Sequence, residues 1–252
     1  MYHRVATESR SDRYTVSVRG FEDQMHSLQD GHYRVISLEA AILDFGKPEA
    51  TTTNSVCVTF DDGFRDTYIH AAPVLEKLRY PATFFLVSGF MGRMNSFESD
   101  PRTGNQHLLM GWSEAKELSH AGFELGSHTV THPMLTQVST DRAVEEIENS
   151  KQEIESRLNR EVRYFAYPHG RFDQRIRDMV CRAGYRAACS TLSGFANRDN
   201  DFFALRRIEI FGNDSLRTFR RKLKFGANEI NSLDVARYYA RRALARCLPA
   251  SR

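Results

Sequence analysis

The chain has 252 residues, 41% of them hydrophobic and 27% charged, with a mean hydropathy of −0.50, the composition of an ordinary globular protein, and its near-balanced charge excludes a strongly polyanion-seeking one. The formal charge of +3 joins unlike parts: Arg217–Arg252 carries ten Lys/Arg against two Asp/Glu, a local +8, and the remainder carries 25 against 30, a local −5. No stretch approaches the roughly 20 apolar residues of a membrane span, and Met1-Tyr2-His3-Arg4-Val5 lacks the apolar centre of a signal peptide, so the chain as written is expected in the cytoplasm, with envelope association if the true start lies upstream.

Strand-like runs alternate with helical patterns. The spacing predicts a helix over 21–30, with Phe21, Met25 and Leu28 on one face and Gly31 as its stop. Strands are expected at 33–37 and 56–60, the second ending on acidic residues and a glycine. A helix through 67–78 leads to a buried strand at 82–87, and 89–109 lacks periodicity and reads as a long functional loop. A helix at 113–121 precedes a short strand at 123–126. The most regular helix is 141–159, with Val144, Ile147, Ile154 and Leu158 on one stripe. A strand at 164–167, a helix at 174–183 and strands at 186–189 and 204–211 complete the body.

About seven strands separated by helices argue for parallel βαβ units, so the expected fold is α/β, a distorted or incomplete (β/α) barrel, with a doubly wound open sheet as the alternative. The expected organisation is a catalytic domain over 1–215 and a basic helical C-terminal extension over 216–252. In that extension Leu233, Ala236, Ala240, Ala243, Leu244, Cys247 and Leu248 form a stripe flanked by arginines. Such a helix either covers the barrel or touches a membrane surface or a protein partner. Cys57, Cys181, Cys189 and Cys247 have no metal spacing and read as core residues or reduced thiols. The body has no basic face and no zinc finger, which argues against nucleic acid as a partner.

Three constellations carry chemistry. Thr59-Phe60-Asp61-Asp62-Gly63 sets two carboxylates at a strand end, where barrel enzymes place their active sites. Asp-Asp-Gly is also a common turn. Ser127-His128-Thr129-Val130-Thr131-His132-Pro133 spaces two histidines so that, on a helical turn, both imidazoles would meet one ion. One carboxylate with two imidazoles leaves coordination positions open, as in catalytic zinc-type sites. Tyr164-Phe165-Ala166-Tyr167-Pro168-His169-Gly170 is a third strand end with a proline–glycine turn.

In this order and spacing the three motifs resemble the polysaccharide deacetylase family (carbohydrate esterase family 4) over about residues 1–215, and the Tyr2-His3 start is similar to that of its exopolysaccharide-associated branch. The resemblance implies a divalent metal, most often zinc, and hydrolysis of N-acetyl groups on the amino sugars of a glycan. It further implies Asp62, His128 and His132 as metal ligands, Asp61 as general base, and the His169 N–H as an oxyanion donor. Two features depart from the pattern. Ala166 stands where many members carry an arginine that orients the base, and Arg163 or Arg65 is expected to substitute. No histidine follows His169, so His3 and His169 are the candidates for the general acid. Trp112 is expected to pack, or else to stack on a sugar, and the remaining histidines and the Asn213-Asp214-Ser215 sequon read as surface features. The competing functions are an O-acetyl-sugar esterase or non-sugar amidase on the same metal site, and a catalytically degenerate sugar-binding protein.

Overall fold

The computed structural model describes residues 1–7, 13–45, 54–96, 106–196 and 201–229. It begins with a parallel pair, β1 (Arg4–Ala6) and β2 (Thr15–Ser17), followed by α1 (Val18–Asp30). The Ser17 hydroxyl accepts the Gly20 N–H and starts α1 three residues ahead of its apolar stripe. Strand β3 (Arg34–Val35), helix α2 (Leu38–Phe45) and strand β4 (Ser55–Val56) follow, with β3 and β4 paired in a sheet of their own.

The central sheet is parallel and runs in chain order: β5 (Val58–Phe60), β6 (Ala82–Leu86), β7 (Glu124–Ser127), β8 (Tyr164–Ala166) and β9 (Ala187–Cys189). Helices α3 (Ala72–Leu78), α4 (Trp112–His120), α5 (Thr140–Leu158) and α6 (Gln174–Arg182) fill the crossovers, and α7 (Leu216–Phe225) comes last. Both faces of the sheet are buried, which is why its strands read as continuous apolar runs. Phe60, Phe84 and Phe165 pack outward with Phe21, Met25, Ile147 and Val180 of the helices. Phe85, Tyr164, Ala166, Ala187 and Cys189 point the other way and meet Leu38 of α2.

The sheet curls because irregular segments cover both its edges. Tyr2 lies along β5, donating to the Thr59 carbonyl at 2.8 Å and accepting from the Asp61 N–H at 2.9 Å. Leu205 lies along β9, and Ile210 donates to the Met1 carbonyl at 3.0 Å, which brings the two edge segments together. The result is the expected incomplete barrel, with five strands in its main sheet rather than about seven. The difference has a local cause. In the run expected as a strand over 204–211, Leu205, Arg207 and Ile210 donate to Ala188, Leu192 and Met1, three partners that cannot form one ladder. The strand expected at 33–37 pairs only through Arg34–Val35.

Trp112 opens α4 and packs against the core with the Arg157 guanidinium over its ring. The helix expected at 232–248, and Cys247 with it, lies outside the described residues. No helix among the described residues is long and apolar enough to cross a membrane.

Candidate active site

Three strand ends supply the site. At the end of β5, Asp61 and Asp62 diverge because Asp62 takes a left-handed conformation (φ 70°), as does Gly63 after it (φ 75°). Asp62 is buried, and neither of its carboxylate oxygens takes a protein hydrogen bond. At the end of β7, His128 Nε2 stands 3.3 Å and His132 Nε2 3.4 Å from Asp62 Oδ1, and the three ligand atoms lie within 4.8 Å of one another. A buried carboxylate left without donors and faced by two imidazole nitrogens fits a divalent cation, since burial of an unpaired charge is otherwise costly.

The histidines do not sit on a helical turn. Residues 128–132 form a loop in which Thr129 (φ 69°) and His132 (φ 59°) both adopt the left-handed conformation, an unfavourable one for a β-branched residue. Several hydrogen bonds hold the loop in that shape. The His132 N–H donates to Thr129 Oγ1 at 3.0 Å. Glu146 of α5 takes the Val130 N–H at 3.0 Å and the Thr131 N–H at 2.7 Å on one oxygen and the Thr131 hydroxyl on the other. Ser127 meets Ser150 of the same helix at 2.6 Å. The loop's other side is tied to the chain after β6, with Gly89 N–H donating to Val130 at 2.9 Å.

His128 Nδ1 lies 2.7 Å from the Ala166 carbonyl. A carbonyl only accepts, so Nδ1 is the protonated nitrogen and Nε2 presents its lone pair toward Asp62. Burial pushes the His132 imidazolium down to about 3, which keeps that ring neutral and ligand-competent. Burial opposes charge on His128 too, but the facing Asp62 and Asp61 carboxylates outweigh it and raise that group.

Asp61 is a different kind of carboxylate. Arg207 grips both its oxygens, Nη1 to Oδ1 and Nη2 to Oδ2, each at 2.7 Å, with both side chains buried. The Arg207 Nε donates to the Ser190 carbonyl at 2.8 Å, so the fork is fixed from behind. Burial acts to raise the Asp61 carboxyl, and the charge of Arg207, then His128, outweighs it and holds the group below its ordinary range. The expected substitutes for an orienting arginine are occupied elsewhere: Arg163 pairs with Glu39, and Arg65 with Glu114. Arg207 was missed because it lies in the Leu205–Ile210 run, where an arginine among apolar residues was the available signal.

Both remaining candidates lie at the site. His169 takes a left-handed conformation (φ 56°) after Pro168 and packs its ring 4.7 Å from that of His132. Burial, then the charge of His128, lowers its imidazolium from its ordinary value. His3 follows the Tyr2 bridge to β5 and so stands beside the carboxylate pair, where its charge acts on Asp61 and Asp62. Its ring packs against Tyr14, with centroids 4.7 Å apart.

The chain is similar in sequence and fold to several known proteins. A family model described as polysaccharide deacetylase matches residues 49–188. The solved structure of the Streptococcus pyogenes deacetylase PplD in complex with acetate is similar over 88% of this chain and 95% of that one, with a TM-score of 0.75 and 26% identity. IcaB from Ammonifex degensii gives a TM-score of 0.73 at 25% identity over 86% of this chain and 92% of that one. A poly-β-1,6-N-acetyl-D-glucosamine N-deacetylase of Staphylococcus aureus is 24% identical over 78% of this chain and 68% of its own length.

Proposed function

The chain belongs to the polysaccharide deacetylase family of metal-dependent hydrolases, and from that premise we propose that it removes N-acetyl groups from amino-sugar units of a polysaccharide, with Asp62, His128 and His132 holding a zinc ion and Asp61 as general base. The observation that carries this reading is the pairing of a donor-free, histidine-faced carboxylate with an adjacent arginine-held one. A degenerate binding protein would have no need of the second.

A bound zinc ion supplies Lewis-acid polarisation of the acetamide carbonyl and lowers the pKa of water near it. Asp61, ionised and fixed in plane by Arg207, accepts the proton of the attacking water. The His169 N–H, presented by the turn after Pro168, donates to the oxygen that gains charge in the transition state. His3, beside the carboxylate pair, gives a proton to the departing amine. The name of the Staphylococcus relative makes β-1,6-linked N-acetylglucosamine the substrate to try first.

Replacing Asp61 with Asn is expected to lower acetate release from such an oligomer by at least about 100-fold, the scale of a lost general base. Metal stoichiometry should stay at that of the parent chain. Full turnover in the variant would overturn the base assignment, and faster acetate release from acetylated xylan than from the amino-sugar oligomer would favour an esterase.

A further inference from the structure

We propose that Tyr14 is the floor of a glycan subsite beside the metal centre, stacking on the sugar ring next to the one being deacetylated. The inference rests on the deacetylase reading above and adds to it a place for the rest of the chain.

The backbone sets the position. Strands β1 and β2 are paired with Arg4 opposite Thr15, so Tyr14 stands beside His3 at the level of the Asp61–Asp62 pair. Its carbonyl accepts the Arg4 N–H at 3.3 Å. The two rings meet with an interplanar angle of 60°.

Exposure sets it apart. Tyr2, Tyr164, Tyr167 and Tyr185 are at most 4% exposed and serve the core, whereas Tyr14 is 41% exposed. A single exposed aromatic ring is ordinary on a protein surface. One held by ring contacts to both His3 and Phe211 is a platform. Phe211, itself buried, meets Tyr14 edge-on at 5.9 Å, and Arg13 lies over the Phe211 ring at 4.0 Å. The Gly212 N–H donates to the Arg13 carbonyl at 2.8 Å, which ties the segment before β2 to the barrel edge.

The surroundings set the ligand class. Arg13 and Phe211, next to Tyr14, border an open cavity of about 540 Å³ that is lined by both charged and amide groups, among them Asp214, Arg221, Asn228 and Glu229. The Tyr14 face suits the C–H face of a sugar ring at low side-chain entropy cost, and the amide, carboxylate and cationic groups of the cavity suit the hydroxyl rim of the next one. His3, Tyr14 and Phe211 thus form one contiguous set of ring contacts that begins at the residue beside the carboxylate pair.

The test compares two acetylated probes, a β-1,6-linked N-acetylglucosamine pentamer and 4-nitrophenyl acetate, which carries no sugar. In the metal-loaded Tyr14→Ala chain the ratio of kcat/KM for the pentamer to kcat/KM for the ester should fall about tenfold, the size of one stacking contact. Tyr14→Trp should restore it. Calorimetric titration of the pentamer into Asp61→Asn chains, with and without Tyr14→Ala, reads the same contact without turnover and should show about tenfold weaker binding. An unchanged ratio with unchanged binding would overturn the subsite. An equal loss on both probes would also overturn it, assigning Tyr14 to the support of His3. Absence of acetate release from the pentamer by the parent chain would defeat the deacetylase reading, and the titration would still decide the subsite.

Discussion

A carboxylate that takes a proton from water has to be ionised, fixed and close to its target, and at Asp61 one guanidinium meets the first two conditions. The bidentate contact also explains why a buried acid stays charged, since burial by itself favours the neutral form. Lysine offers a point charge instead of a planar fork. Arg207→Lys is therefore expected to lower kcat by about tenfold or more while metal content, measured by elemental analysis, stays at one ion per chain; an unchanged kcat would remove Arg207 from the mechanism. Strain is concentrated at the same place. Asp62, Thr129, His132 and His169 are all left-handed, and each such residue costs of order 1–3 kcal/mol. Gly170, at φ 65°, closes the His169 turn, and a Cβ there would fall 1.9 Å from Thr191 Oγ1. Gly170→Ala should lower stability by about 1–3 kcal/mol in urea unfolding, and a stability equal to the parent's would show that the turn has room to relax.

Helix α5 contributes to the site without touching it. Glu146 lies on the helix face shared by Ala143, Ile147, Ser150 and Ile154, buried among residues that serve the core. Its carboxylate instead collects the donors of the loop between the two histidines. Loss of such outer supports weakens metal affinity about 10–100-fold in known sites. Glu146→Ala should show that loss in a zinc competition titration, and Glu146→Gln, whose amide oxygen still accepts, should recover most of it; equal affinity in all three chains would reduce Glu146 to a packing residue. The signal was present in the sequence as an acidic residue on an apolar stripe. The histidine spacing, by contrast, suggested a helical turn, and the left-handed conformations of Thr129 and His132 made it a loop. Periodicity reports the average geometry of an element and carries no information about such single-residue reversals.

For the molecule as a whole, the five central strands, helices α1 and α3 to α6 and the three motif positions were legible because buried parallel strands and amphipathic helices impose strong patterns, whereas the short β1, β2 and α2 were not. The barrel's closure was not, since Tyr2 and Leu205–Ile210 pair through single bridges that leave no periodic trace. Arg207 reaches Asp61 across 146 positions of sequence for the same reason. Helix α7 docks on that closing segment through Lys222, which is buried and donates to the Glu209 carbonyl at 2.9 Å and to Asp214 at 2.6 Å. Lys222→Met should cost about 3–5 kcal/mol by stranding the Asp214 carboxylate, measurable as a lower urea midpoint, and an unchanged midpoint would show that α7 is not part of the cooperative unit. The proposed function depends on an ion held by Asp62, His128 and His132. Its most direct test is acetate release from a β-1,6-linked N-acetylglucosamine oligomer by the chain stripped with a chelator and then given stoichiometric zinc. Turnover should vanish on stripping and return with one zinc ion bound per chain; turnover that survives complete removal of metal would rule out a metal-dependent hydrolysis at this site.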